Sequence, residues 1–133
     1  MLVWDSSYSV KVKEIDNQHK RLIDYINLLD ASTRDDDPKE IISEIMKSLT
    51  VYTIEHFKTE EDYFSEFKYE KASEHIAEHQ RLVKDLDDYI KQFESNDDFN
   101  SDHFMSFLKD WLIDHIMGTD KEYMHCFAEN KLT

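Results

Sequence analysis

Residues 74–79 read EHIAEH, and the choice among three readings of this stretch decides the fold. His75-Ile76-Ala77-Glu78-His79 matches the H-x-x-E-H pattern of inverted zinc proteases. It also matches two ligands of some other metal site, because residues four apart share a helix face. The third reading is a pair of surface histidines on an acidic helix. What the rest of the chain brings beside His75 and His79 selects among them.

Working outward, His75 and His79 begin an apolar stripe that continues through Leu82, Leu86, Tyr89 or Ile90 and Phe93. That spacing is one face of a helix. It ends in the loop ESNDDFNSD, residues 94–102. Upstream, Asp37 can cap a helix, Pro38 suits its first position, and Glu40 completes a capping box. The stripe that follows is Ile42, Ile45, Leu49, Tyr52, His56, Glu60 and Phe64. Before it, His19, Leu22, Ile23, Ile26 and Leu29 make a stripe that stops in STRDDDP, residues 32–38. A fourth stripe runs Phe104, Leu108, Trp111 and His115, with a short tail through Tyr123 and Met124 beyond Gly118.

These stripes predict an all-α protein: an up-down-up-down four-helix bundle with an N-terminal arm and a short C-terminal helix, in one domain over 1–133. The expected arm is 1–16, the helices about 17–34, 38–65, 70–94 and 101–117, and the C-terminal segment 119–131. One glycine and one proline in 133 residues support this, because an all-β fold needs many more turn residues.

Charge and cysteine content bound the partners. The formal net charge is -14, which repels nucleic acid and anionic membranes. No apolar run approaches the roughly 18 residues of a membrane span, and the N-terminus lacks the pattern of a leader. The single cysteine, Cys126, excludes an intrachain disulfide. A monomeric, cytoplasmic protein is expected.

Antiparallel helices give the histidines a common address. His19 lies near the start of the first helix, and His56 and Glu60 near the end of the second. His75 and His79 lie near the start of the third, and His115 near the end of the fourth. All fall at one end of the bundle. A lone histidine on such a stripe reads as a core imidazole with a hydrogen-bond partner. Glu60 alone reads as a residue at the stripe's edge beside a solvated Glu61. Five converging imidazoles are costly to bury without partners, and metal ions satisfy them together. Asp120 follows His115 by five; this spacing asks for a local bend, which Gly118 can supply. Five imidazoles and two carboxylates exceed one tetrahedral zinc. They suit two metals of higher coordination, with nitrogen and oxygen donors favouring iron or manganese.

WDSSYSVKVKEIDNQH (4–19), HFKTEE (56–61), HIAEH (75–79) and WLIDHIMGTDKEY (111–123) together resemble the hemerythrins, in particular the single-domain bacterial hemerythrins. The resemblance spans essentially the whole chain. It implies that His75, His79 and His115 hold one iron and that His19 and His56 hold the other. Glu60, Asp120 and an oxo or hydroxo group would bridge the two ions. The ligand count then closes the first iron and leaves one position open on the second, where molecular oxygen would bind. The activity implied is reversible oxygen binding for storage, delivery or scavenging, not catalysis. The alternatives are a di-iron enzyme that reduces oxygen, peroxide or nitric oxide, and an oxygen-sensing module acting on a separate partner. A zinc protease would leave His19, His56, His115 and Asp120 without a role.

Phe57, Trp111, Leu112 and Ile116 flank the ligand positions and are candidate walls of a dry oxygen pocket; each also reads as ordinary core packing. Lys11 stands where the family commonly has glycine, and Glu70 where it commonly has proline, which bears on arm and loop geometry alone. Glu78 sits about 100° around the helix from His79 and reads as a solvated neighbour. His103 falls at the wrong end of the bundle and reads as surface. His125 and Cys126 read as structural, with an exposed-thiol role as the alternative. The acidic runs RDDDP and SNDDF read as solvated loops.

Overall fold

The computed structural model describes residues 1–95 and 98–133. Asn96 and Asp97, within the acidic run expected to form a solvated loop, lie outside the described residues. Helix α1 spans Lys13–Arg34, α2 Lys39–Phe67, α3 Ala72–Ser95, α4 Ser101–Asp114 and α5 Met124–Glu129. Between α4 and α5 the backbone makes a π-helical turn, His115–Thr119, and a 3-10 turn, Asp120–Tyr123. Short connections make α1–α2 and α2–α3 antiparallel neighbours, and α4 closes back on α1. The four-helix bundle expected from the stripes is the architecture observed.

Helix α1 begins four residues earlier than the stripe suggested. Lys11, at φ 65°, turns the arm sharply, and Ile15 then joins His19 and Leu22 on the buried face. Asp16 fastens the arm: its carboxylate accepts hydrogen bonds from Ser9 Oγ at 2.5 Å and Val10 N at 2.8 Å. The capping box at Asp37 does not form. Pro38 holds the cap position without a side-chain hydrogen bond. Asp37 instead accepts from Ser32 Oγ at 2.7 Å, closing the α1–α2 loop. Helix α3 starts at Ala72, not 70, because Lys68 ends α2 in the left-handed conformation, φ 53°, and residues 69–71 complete the turn.

The core has two parts. One fills the bundle between the four long helices, from Leu22 and Ile116 to Leu29, Phe93 and Phe104. The second joins the arm to the C-terminal segment: Val10, Val12, Ile15, Phe64, Tyr123 and Phe127. A buried polar layer lies where the two meet.

The sole glycine is not where the backbone asks for one. Positive φ falls on Lys11, Asp36, Lys68 and Lys131 among the described residues. A left-handed L-residue costs about 1 kcal/mol that glycine avoids. Lys68→Gly should therefore raise stability by about 1 kcal/mol, read from the urea midpoint at unchanged m-value. A lower midpoint would show that the lysine side chain compensates for its backbone.

Candidate metal centre

All seven sequence-predicted ligand residues meet in that layer. His19 comes from α1, His56 and Glu60 from α2, His75 and His79 from α3, and His115 and Asp120 from the two ends of the π turn. None is more than 3% exposed. The π turn explains the spacing of the last pair. Five residues on an α-helix place two side chains about 140° apart, whereas i→i+5 bonding widens the turn and brings the two toward one side. Asp120 N–H donates to His115 C=O across it, so both side chains point inward. Gly118 is not the cause: it has no positive φ, and a Cβ there would meet nothing within 4 Å.

The seven form two overlapping groups. Glu60, His75, His79, His115 and Asp120 make one, and His19, His56, Glu60 and Asp120 the other, with the ligand atoms of each within 4.8 Å of one another. The carboxylates belong to both. Asp120 Oδ1 lies 3.0 Å from His75 Nε2 and 3.0 Å from His115 Nε2, and Oδ2 lies 3.1 Å from His19 Nε2. Glu60 Oε1 lies 3.4 Å from His56 Nε2 and 3.3 Å from His79 Nε2. Its Oε2 accepts from Tyr123 O–H at 2.6 Å.

These close contacts leave four of the atoms that make them unsatisfied. Glu60 Oε1, both Asp120 oxygens and His79 Nε2 are buried without an aligned hydrogen bond. The outward nitrogens show why. Nδ1 of His56 donates to Gln18 Oε1 at 2.6 Å, that of His79 to Glu61 Oε2 at 2.8 Å, and that of His115 to Glu78 Oε1 at 2.6 Å. Acceptors at Nδ1 hold a ring proton there, so that in the neutral ring Nε2 presents its lone pair inward. Lone pairs from nitrogen and oxygen then face one another across the layer, an arrangement that metal cations fit.

Burial lowers the pKa of His56 and of His79 to about 4, keeping both neutral. His115 is the opposite case: against its burial, Asp120 and Glu78 raise it to about 10. Burial, reinforced by Asp120, raises Glu60. Asp120, despite burial, is held well below the carboxylate range by His115, His19 and His75. A layer that draws a proton onto a buried imidazole has the potential to hold a cation.

An apolar cavity of about 20 Å³ adjoins the layer on the bundle side, room for one water-sized molecule. Phe57, Trp111, Leu112 and Ile116 line it, together with His19, His56 and His115. The Phe57 ring stacks on His79, centroids 3.6 Å apart, and Trp111 on His115 at 4.3 Å.

A family model described as the hemerythrin HHE cation binding domain matches residues 10–126. The chain belongs to the hemerythrin family. It is 30% identical over 123 residues to a bacteriohemerythrin of Pseudomonas paraeruginosa, covering 92% of this chain and 79% of that one. It is 32% identical to a hemerythrin-like protein of Naegleria gruberi, covering 90% and 88%. A crystal structure of wild-type hemerythrin superposes with a TM-score of 0.88 at 29% identity, covering 96% of this chain and 98% of that one.

Two readings of the sequence are corrected. Glu61 and Glu78 are not merely solvated neighbours; each is partly buried and bound to a layer histidine across a helix seam. Gln18, Thr119 and Tyr123 also touch the layer or its supports, and none was singled out from the sequence. The adjacency of Gln18 to His19 and of Glu78 to His79 was the available signal. His103 is exposed at the far end as expected. His125 is exposed as well and pairs with Glu129 at 2.9 Å.

Metal analysis of the purified protein should give two transition-metal ions per chain. His75→Ala should lower that content and destabilise the bundle, because the remaining ligands stay buried without their metal. A His75→Ala variant that keeps two ions would remove His75 from the ligand set.

Proposed function

We propose that this protein binds molecular oxygen reversibly at a non-heme di-iron site, for storage, delivery or scavenging. His75, His79 and His115 would hold one ion and His19 and His56 the other, with Glu60 and Asp120 shared. Two ferrous ions there would supply the electrons that oxygen binding draws on and take them back on release. The donor set supports iron, since imidazole and carboxylate without thiolate suit it.

The observation that carries the proposal is the apolar cavity beside His19 and His56. Its lining offers almost no polar surface. Apart from the three imidazoles and the Trp111 indole, the side chain on it with a polar group is Thr53, whose hydroxyl donates to Leu49 C=O at 2.7 Å. A small apolar molecule fits such a space, and no carboxyl group lines it to deliver protons. Reduction of oxygen needs protons, whereas binding and release do not, so a dry cavity favours the carrier over the oxidase. Among the described residues no helix is long and apolar enough to cross a membrane.

The ferrous protein, prepared without oxygen and then exposed to air, should develop a charge-transfer absorption band that disappears when oxygen is removed. A single irreversible conversion to ferric protein with oxygen consumed identifies an oxidase instead.

Leu112→Tyr and Ile116→Glu should speed autoxidation by about tenfold or more, the rate equivalent of about 1.4 kcal/mol in the barrier. They bring a hydroxyl and a carboxyl to the cavity wall. Unchanged autoxidation in both would mean that the cavity is not where oxygen sits.

A further inference from the structure

Three side chains outside the ligand set stand behind the layer's imidazoles. Gln18 on α1 backs His56 on α2, Glu61 on α2 backs His79 on α3, and Glu78 on α3 backs His115 at the end of α4. Each is next in sequence to a layer residue: Gln18 precedes His19, Glu61 follows Glu60, Glu78 precedes His79. Neighbouring residues on a helix point about 100° apart. One therefore faces the layer while the other faces the adjoining helix, and the backing passes around the bundle from helix to helix.

Two of the backing groups are themselves fixed. Thr119 Oγ1 donates to both oxygens of Glu78, at 3.1 Å each. The amide nitrogen of Gln18 donates to Thr59 Oγ1 at 3.1 Å, which leaves its oxygen for His56. Only the outward nitrogens of His19 and His75 are buried without a partner in this set of five.

The charges of the three partners follow the division of the site. Both carboxylates stand behind the group of His75, His79 and His115. The group of His19 and His56 has the uncharged amide. A carboxylate that accepts from an imidazole N–H draws on that proton and makes the opposite nitrogen a stronger metal donor. An amide orients the ring but draws less.

We propose that Glu61 and Glu78 are positioning residues that make the two metal positions unequal. They strengthen the hold of His79 and His115 on their ion and favour its higher oxidation state. Gln18 leaves the ion of His19 and His56 more weakly held and more electron-poor. The inference rests on the two-metal reading above.

Metal-free protein titrated with Co²⁺ in the absence of oxygen tests this. The wild type should show two binding steps of different affinity. Glu61→Gln and Glu78→Gln should each weaken the tighter step by roughly 10–100-fold and leave the weaker step in place. Gln18→Ala should weaken only the other step, and Gln18→Glu should tighten it. In the iron-loaded protein, Glu78→Gln should raise the midpoint potential of the ion oxidised first. A tenfold change in ferric over ferrous preference appears as about 59 mV. A purely structural role would lower both steps together and leave the potentials alone. If the carboxylate variants bind both ions as the wild type does, or weaken both steps equally, the inequality is not theirs and the proposal fails while the two-metal reading stands. A wild type that binds fewer than two ions overturns both.

Discussion

The rest of this fold is arranged around a buried layer of imidazoles and carboxylates, several of whose inward atoms have no hydrogen-bond partner. Five imidazoles and two carboxylates lie in one layer, and Nδ1 partners orient three of the imidazoles so that Nε2 points inward. Left to themselves such groups cost the fold several kcal/mol, because a desolvated charge or acceptor without a partner is expensive. Cation binding turns the same convergence into stability, since the site does not exist in the unfolded chain. The two apolar clusters follow from this. The bundle core closes the layer on one side. On the other, Val10, Val12 and Ile15 of the arm pack with Phe64, Tyr123 and Phe127. The arm is a lid as much as a leader into α1. Lys121 helps to hold it, donating from Nζ to Ser9 C=O at 2.5 Å.

The π turn is the second necessity. Four α-helices alone can place histidines at one level, but His115 and Asp120 reach the layer together because one turn carries an extra residue. The same turn delivers Thr119 to Glu78, so a single backbone irregularity places a shared carboxylate and clamps the group behind His115. Irregular helical turns of this kind commonly mark functional sites.

The sequence made some of this legible, and the limits are physical. Ile42, Leu49, His56, Glu60 and Phe64 share a face by period alone, so the helix and its inward ligands could be read directly. The seven candidate ligands came from the same stripes and from the His115–Asp120 spacing. Glu61 and Glu78 were misread because a position about 100° from the stripe was taken to face water. In a bundle that direction faces the next helix, and no period in a single helix carries that information. Asp37 failed as a cap because Ser32, five residues back, competed for its carboxylate. Gly118 was credited with a bend on identity alone. The bend came instead from the hydrogen-bond register, while lysines took left-handed positions that glycine would suit.

The layer also separates two environments, which bears on the oxygen binding proposed above. The hydroxyl that touches a shared carboxylate is that of Tyr123, which donates to Glu60 at 2.6 Å. Burial, with Asp120 and Glu60 close by, holds its pKa well above the ordinary tyrosine value, so it keeps its proton. Tyr123 belongs to the cluster under the arm. The cavity lies on the other side of the layer, among Leu22, Phe57, Leu112 and Ile116. A proton on Tyr123 must therefore pass the whole set of ligands to reach a molecule in the cavity. The same hydrogen bond that steadies Glu60 thus sits where it does not feed protons to oxygen. This placement, more than the identity of any one wall residue, is what the fold would contribute to the reversible binding proposed above.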